Sequence, residues 1–310
     1  MNKHSASLLR IAVLAGGDSS ERSVSLASGR CVADALANIG HRVEVIDPAD
    51  RALADVDWST IDICFIALHG GAGEDGRVQR QLDDLGVRYT GSGPTASYLA
   101  MSKSASKERL TQARLPTLPY ALVHVSQPPG EIDGRVATVG YPVIVKPGSQ
   151  GSSLGVSCAT MPAELARSLA DAFRFDPFAI AEPRIEGREY TVAVIGRAPL
   201  PPIEISARRN IFSYEAKYQA ELCHRVDPPD QPDGLGRLAA AACAELGTAG
   251  LARVDIMVDR LGAPWVLEIN TVPGMTEHSL APLAAKHAGL EMPALCDLLV
   301  RQALGVEVLS

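Results

Sequence analysis

Arg253-Val254-Asp255-Ile256-Met257-Val258 and Trp265-Val266-Leu267-Glu268-Ile269-Asn270 place four polar side chains at alternate positions among β-branched and aliphatic neighbours. That alternation marks a strand with one polar face. Side chains of a strand alternate with a period of two, so Arg253 and Asp255 share a face, as do Glu268 and Asn270. The link Asp259-Arg260-Leu261-Gly262 is turn-like and predicts an antiparallel hairpin. A loop of four or two residues pairs Asp255 with Glu268 or with Val266, and either register puts all four groups on one face. Two carboxylates opposed at sheet spacing repel. Two readings follow: a solvated outer face carrying ordinary charges, or a site with a cation between the acids. Hard oxygen ligands with no Cys or His suit Mg²⁺, and the guanidinium then faces an anion or a developing oxyanion.

With 310 residues, 46% hydrophobic and 21% charged, the chain can bury a large core and divide into two or three domains. A net charge of −7 argues against the basic surface that nucleic acid or an anionic membrane requires, so an anionic ligand must be met by a local cluster. The apolar stretch Leu8 to Ala15 is broken by Arg10 and runs into Gly16-Gly17. It is too short to span a bilayer and lacks a signal-peptide cleavage pattern. Six cysteines lie far apart without a C-x-x-C, which indicates neither a disulfide framework nor a zinc site. Cytoplasm is the expected compartment.

The first hundred residues alternate between strand and helix. Arg10 to Leu14, His41 to Ile46, Ile61 to Leu68 and Val87 to Thr90 read as strands, and Glu21 to Ile39 and Arg77 to Leu85 as helices. Such alternation predicts a parallel sheet flanked by helices, with ligands beyond the strand C-terminal ends, at the loops Ala15 to Glu21 and His69 to Gly76. From Ser102 the texture changes to a charged helix, Lys103 to Gln112, a Pro-rich connection and the strand Tyr141 to Val145. A third block follows Glu182, strand-rich to Ser206 and helical from Gly234 to Glu245. Ser126 to Gly134 reads as a flexible surface loop.

Two glycine-rich elements stand out. Gly71 to Gly76 matches G-x-G-x-x-G, but a dinucleotide site carries that motif after its first strand, with an acid about twenty residues on. Neither condition holds, and no P-loop occurs in the chain. The second element follows Pro142-Val143-Ile144-Val145: Lys146-Pro147 leads into Gly148-Ser149-Gln150-Gly151-Ser152-Ser153-Leu154-Gly155. Such a segment is either a flexible Gly/Ser loop or a phosphate clamp, in which backbone N–H groups and hydroxyls wrap phosphates while the Lys supplies charge.

The chain resembles the D-alanine:D-alanine ligases of the ATP-grasp superfamily along nearly its whole length. The resemblance rests on Leu14 to Arg22, Ala67-Leu68-His69-Gly70 with Gly73-Glu74-Asp75-Gly76, Tyr89 to Gly93, Val143 to Pro147 and Gly151-Ser152-Ser153. It continues in Tyr214-Glu215-Ala216-Lys217-Tyr218, Arg253-Val254-Asp255, and Glu268 to Thr271 with Pro273-Gly274-Met275-Thr276. It implies an α/β fold, α+β in its ATP-binding part: an ATP-grasp fold preceded by a Rossmann-like parallel-sheet domain. The implied divisions are 1–100, holding the first substrate, 101–185, with the glycine-rich loop, and 186–310, with the Mg²⁺ site and closing loop. The activity implied is ATP-dependent joining of two D-alanines through an acyl phosphate for peptidoglycan precursors, by a cytoplasmic homodimer.

Residue by residue, the resemblance makes Asp255, Glu268 and Asn270 ligands of two Mg²⁺ ions, with Mn²⁺ an alternative. Lys103 and Lys146 match lysines on the ATP phosphates, and Lys217 one reaching the γ-phosphate. Arg253 and the backbone N–H of Gly274 match the groups that stabilise the tetrahedral oxyanion. Glu21 matches the acid holding the ammonium of the first D-alanine, although Asp18-x-x-Glu21 before a helix also reads as a capping box. Ser152 and Tyr218 match the partners linking Glu21 to the closing loop. Ser279 and the N–H of Leu280 match the cradle for the second D-alanine's carboxylate, in keeping with a helix N-terminus. His69 is either a contact to the second substrate or a structural histidine.

Where relatives carry a Lys and an aromatic at the adenine hinge, this chain has Pro183 and Arg184. The implied hinge contacts are the carbonyl at 183, the N–H of Ile185 and Glu182, with Glu189 on the ribose hydroxyls. Cys223 and Arg225 replace a Thr and a Tyr in the closing loop, whereas Ala216-Lys217-Tyr218 favours D-alanine over D-lactate as second substrate. The alternatives are an ATP-grasp ligase joining D-alanine to another D-amino or hydroxy acid, and a non-catalytic nucleotide-binding relative.

Overall fold

The computed structural model describes residues 8–207, 222–228 and 230–306. Strand β1 (Arg10–Leu14) lies between β2 (Arg42–Ile46) and β3 (Ile63–Ile66), all parallel, with α1 (Arg22–Asn38) as the first crossover. Every residue of β3 and all of β1 after Arg10 are buried, as expected of a parallel sheet covered on both faces. The predicted strand at 87–90 is reduced to a single bridge between Tyr89 and Cys64. Its ladder is cut short on one side by the turn at Gly86 and on the other by the run into Gly91-Ser92-Gly93. Helices α2 (Arg77–Asp84), α3 (Pro94–Met101) and α4 (Lys103–Gln112) follow.

A second, antiparallel sheet runs β4-β7-β5-β6, from β4 (Ala121–His124), β5 (Val143–Pro147), β6 (Ser157–Ala159) and β7 (Phe178–Pro183). It packs against α5 (Pro129–Ala137) and α6 (Pro162–Phe173) around Val143, Val145, Leu165 and Ala181. Helix α5 replaces the loop expected from 126 to 134. Pro occupies its first turn, where the missing N–H costs nothing. Glu131 and Arg135 pair one turn apart at 3.1 Å, and Ile132 and Val136 turn inward.

In the third sheet the order is β11-β10-β8-β12-β13, with β9 (Ala198–Pro199) on β8 (Gly187–Ile195). Its other members are β10 (Ile203–Ala207), β11 (Leu222–Val226), β12 (Leu251–Asp259) and β13 (Pro264–Asn270). Helix α7 (Leu235–Leu246) covers one face through Leu235, Ala239, Ala242 and Leu246. The last two helices, α8 (Leu280–His287) and α9 (Met292–Ala303), return to the first sheet. Leu295, Cys296 and Leu299 share a core with Val32 and Leu36 of α1 and Ile11 and Val13 of β1. Among the described residues no helix is long and apolar enough to cross a membrane.

The hairpin β12–β13 pairs Asp255 with Glu268 and Arg253 with Asn270, one of the two registers read from the sequence. A bulge between Asp255 and Ile256 shifts the pairing by one residue toward the turn, so that Ile256 meets Val266. On its other edge β12 pairs with β8 without interruption from Leu251–Ile195 to Asp259–Gly187.

Candidate functional site

The hairpin face carries its charges in contact. Arg253 grips Asp255 two residues on with both arms, Nε to Oδ1 and Nη2 to Oδ2, each at 2.9 Å. Thr191, across the ladder on β8, donates its hydroxyl to Asp255 Oδ1 at 2.6 Å. Glu268 Oε2 lies 3.6 Å from Lys103 Nζ. The repulsion between the opposed carboxylates is thus offset by a guanidinium on one side and an ammonium on the other. Asn270 faces Arg253, and its Oδ1 accepts the N–H of Val272 at 2.8 Å, which turns the chain out of β13.

Lys103 also reaches the glycine-rich loop. Its Nζ donates to Gln150 O and its backbone N–H to Gly148 O at 2.9 Å. In that loop Ser152 and Ser153 hold φ of 53° and 57°. This is left-handed backbone that costs L-residues about 1–2 kcal/mol each, and such strain concentrates at functional loops.

Lys146, at the foot of the same loop, has its Nζ 2.7 Å from Glu182 Oε2, and Lys107 Nζ stands 2.7 Å from the other oxygen. Glu182 and Lys107 are each 1% exposed. Lys107 also donates to Thr117 Oγ1 at 2.9 Å and Leu118 O at 3.1 Å. Burial works to raise the Glu182 carboxyl, but Lys146 and Lys107 outweigh it and hold it below the usual carboxylate range. The Glu182 side chain is therefore committed to two lysines. Glu189, on β8, is among the acids that help keep Lys146 protonated against its burial. Pro183 ends β7 opposite Val143, Arg184 is exposed while its N–H donates to Pro142 O at 2.8 Å, and Ile185 lies in the link to β8.

The third wall comes from the first sheet. Glu21 is the N-cap residue of α1, but its side chain makes no cap hydrogen bond; Ser19 Oγ accepts the Glu21 N–H at 3.1 Å instead. The capping box is not formed, and the buried carboxylate turns toward the glycine-rich loop. A Cβ at Gly151 would sit 3.4 Å from Glu21 Oε1 and 3.8 Å from Glu74 Oε2, so two acids approach one point on that loop. Burial first, then Glu21, push the Glu74 carboxyl up to about 8, against a hydrogen bond from Gly70 N–H and the charge of Arg253. Burial and the neighbouring acid thus bias the Glu74 carboxyl toward its protonated form. Its folded pKa lies above the unfolded value of about 4.3. The stability this preference provides is complete below that value and is lost as pH rises through about 8. Glu74→Gln should flatten the fall of the unfolding temperature between pH 5 and 8; equal slopes for parent and variant, by calorimetry, would refute the assignment.

His69 has both ring nitrogens engaged, Nδ1 with Val272 O at 3.0 Å and Nε2 with Ser28 Oγ at 2.8 Å. Burial, chiefly, lowers its pKa to about 4, so it is neutral and tied to the protein. Gly274 follows in the same segment, where a Cβ would stand 2.7 Å from Ser279 Oγ. Ser279 is the N-cap residue of α8 and Leu280 its first residue; Ser279 Oγ accepts the Thr276 N–H at 3.0 Å. Lys217 and Tyr218 lie outside the described residues, as does most of the closing segment around them.

Among the described residues no group of three or more His, Cys, Asp or Glu is arranged to hold a metal ion by itself. The donor set Asp255, Glu268 and Asn270 nonetheless fits Mg²⁺, which commonly takes one or two carboxylates together with substrate phosphates. Carboxylate oxygens that accept one hydrogen bond keep acceptor capacity. Sequence reasoning did not single out Glu74, Thr191, Ser28 or Lys107. Two had a local signal: Lys107 follows Lys103 by one helical turn, and Thr191 is the polar residue at the head of the apolar run 192–195 in β8.

A family model described as D-ala D-ala ligase C-terminus matches residues 110–301. Among curated proteins, a D-alanine--D-alanine ligase of Alkalilimnicola ehrlichii is 42% identical, over 95% of this chain and 94% of its own. One of Halorhodospira halophila is 44% identical, over 95% and 96%. Of solved structures, the D-alanine--D-alanine ligase from Bacillus anthracis complexed with ATP superposes with a TM-score of 0.83 at 30% identity, covering 96% of this chain and 98% of that one.

Proposed function

The chain belongs to the D-alanine–D-alanine ligase family, and on that premise we propose that it joins two D-alanines into D-alanyl-D-alanine with ATP as co-substrate. The observation that carries the reading is Lys103, whose ammonium touches both the glycine-rich loop at Gln150 and the hairpin at Glu268. Phosphate clamp and acid pair thereby become two sides of one space, with Glu21 on the third.

In this reading the carboxylate of the first D-alanine attacks the γ-phosphate, giving an acyl phosphate and ADP. The amine of the second then attacks the acyl carbon, and phosphate leaves. Glu21 holds the first ammonium, and Glu74 beside it, biased toward its protonated form, limits the negative charge of the pocket. Lys103 and Lys146 neutralise the phosphates, and Lys146 is fixed for that task by Glu182. Asp255, Glu268 and Asn270 would hold Mg²⁺, which neutralises charge developing on the transferred phosphoryl group. Arg253 and the N–H of Gly274 meet the oxyanion of the tetrahedral intermediate, where preorganised donors are worth most. Ser279 and the N–H of Leu280, at the start of α8, receive the second carboxylate. Lys217 and Tyr218 of the closing segment complete the γ-phosphate contact and the link to Ser152. Family membership also motivates a cytoplasmic homodimer supplying peptidoglycan precursors.

The test is a substrate panel. Purified protein with ATP, Mg²⁺ and D-alanine is expected to release phosphate and dipeptide in equal amounts, and D-lactate, D-serine and L-amino acids to serve poorly as second substrate. Nucleotide binding without turnover would leave a non-catalytic relative; preferred turnover with another acceptor would reassign the second substrate.

A further inference from the structure

The segment Val272-Pro273-Gly274-Met275 is gripped at both ends by two side chains from the far end of the sequence. His69 Nδ1 meets Val272 O at 3.0 Å, His69 Nε2 meets Ser28 Oγ at 2.8 Å, and Ser28 Oγ accepts the N–H of Met275 at 3.1 Å. Ser28 is 0% exposed and His69 3%, so water does not compete for these bonds.

The direction of each bond follows from the groups involved. A carbonyl only accepts, so Nδ1 carries the His69 proton. The ring is neutral, which leaves Nε2 as an acceptor for the Ser28 hydroxyl. The Ser28 oxygen, having donated, takes the Met275 N–H on a lone pair. One His–Ser pair therefore fixes a carbonyl on one side of Gly274 and an amide on the other.

We propose that Ser28, acting through His69, is a positioning residue for the backbone N–H of Gly274. This deepens the reading above and rests on its assignment of that N–H to the oxyanion. Three further observations support it. Asn270 Oδ1 holds the N–H of Val272 at 2.8 Å, and Ser279 Oγ holds that of Thr276 at 3.0 Å, so the Ser28–His69 pair supplies the ties that those two neighbours do not. The oxygen of Ser279 leaves no room for a side chain at 274, so the peptide is confined on that side as well. Ser28 also lies seven residues, two helical turns, beyond Glu21 on α1. The helix that begins at the first-substrate acid is thus the one that steadies the oxyanion donor. His69 accordingly works as a strut, not as a ligand of the second substrate.

The test is Ser28→Ala in the full chain, with Ser28→Cys, which keeps a weak donor and acceptor, as the conservative variant. Loss of the hydroxyl is expected to lower kcat by about 10²-fold, the scale of a misplacement near 1 Å, while KM for ATP stays within about twofold. Without any substrate, hydrogen exchange at the Met275 amide should quicken about tenfold or more, as for an amide that loses its bond. Ser28→Cys should fall between parent and alanine variant in both. Parental kcat in Ser28→Ala, or a slowed variant whose Met275 amide exchanges as in the parent, overturns the positioning role. A parent that ligates no D-alanine overturns instead the reading on which it rests.

Discussion

Glu268→Gln is expected to reduce dipeptide formation on the order of 10³-fold, about 4 kcal/mol of transition-state stabilisation. Gln keeps the size and one carbonyl oxygen but removes the charge that faces Lys103 and stands opposite Asp255. Mg²⁺ bound with ATP phosphates would then be left with a single protein carboxylate. Folding should survive, because Glu268 is only partly buried and its neighbours in β13, Val266 and Ile269, carry the packing. Phosphate release and dipeptide would be followed together, with circular dichroism as the control for folding. Activity within about threefold of the parent would remove Glu268 from phosphoryl transfer.

The second large effect is on stability. Lys107→Met should destabilise the protein by about 3–5 kcal/mol, the usual cost of deleting one partner of a buried ion pair. On the scale of a protein this size, that lowers the unfolding temperature on the order of 10 °C. Glu182 would keep Lys146 alone, with one carboxylate oxygen and the carbonyl of Leu118 left without their donor. The double variant Lys107→Met/Glu182→Gln also deprives Lys146 of its carboxylate, but the Lys107–Glu182 contact is lost only once, so its cost should fall short of the sum of the two single changes; strict additivity would show that the pair is not coupled. A pH dependence accompanies the ion pair. Because Glu182 is held below the usual carboxylate range, the stabilisation is complete above the ordinary Glu pKa and disappears as pH falls through the lower, folded value.

What the sequence made legible was the part of the site carried by local pattern. The polar alternation in 253–258 and 265–270 is a property of two strands alone, and it led to the right face and to a register that pairs Asp255 with Glu268. The bulge beside Asp255 was not legible, because it is a mismatch between two paired strands, where Leu267 is skipped, and neither strand's own alternation shows it. Lys107 stood unremarked in the charged helix Lys103 to Gln112; only the fold brings Glu182, 75 residues away, to its ammonium. Glu74 stood within a quoted motif, yet its bias toward the protonated form depends on Glu21 and on burial by a loop that begins at Gly148. Helix α5 was hidden by Pro128-Pro129-Gly130, which as composition signals a loop and as position starts a helix.

The bulge also separates the two ends of the hairpin as mechanical parts. Asp255 and Arg253 are indexed by nine consecutive pairings of β12 with β8, which continue past the bulge to Asp259, whereas the turn-side end of β13 meets β12 only through Val266, Trp265 and Pro264. A change of length or chemistry at Leu261, which is 95% exposed, is therefore separated from the acids by a strand that β8 holds in register on both sides of the bulge. The tip is a natural attachment point: a dye or affinity handle placed there would ride on the strand that bears the acids without re-indexing them.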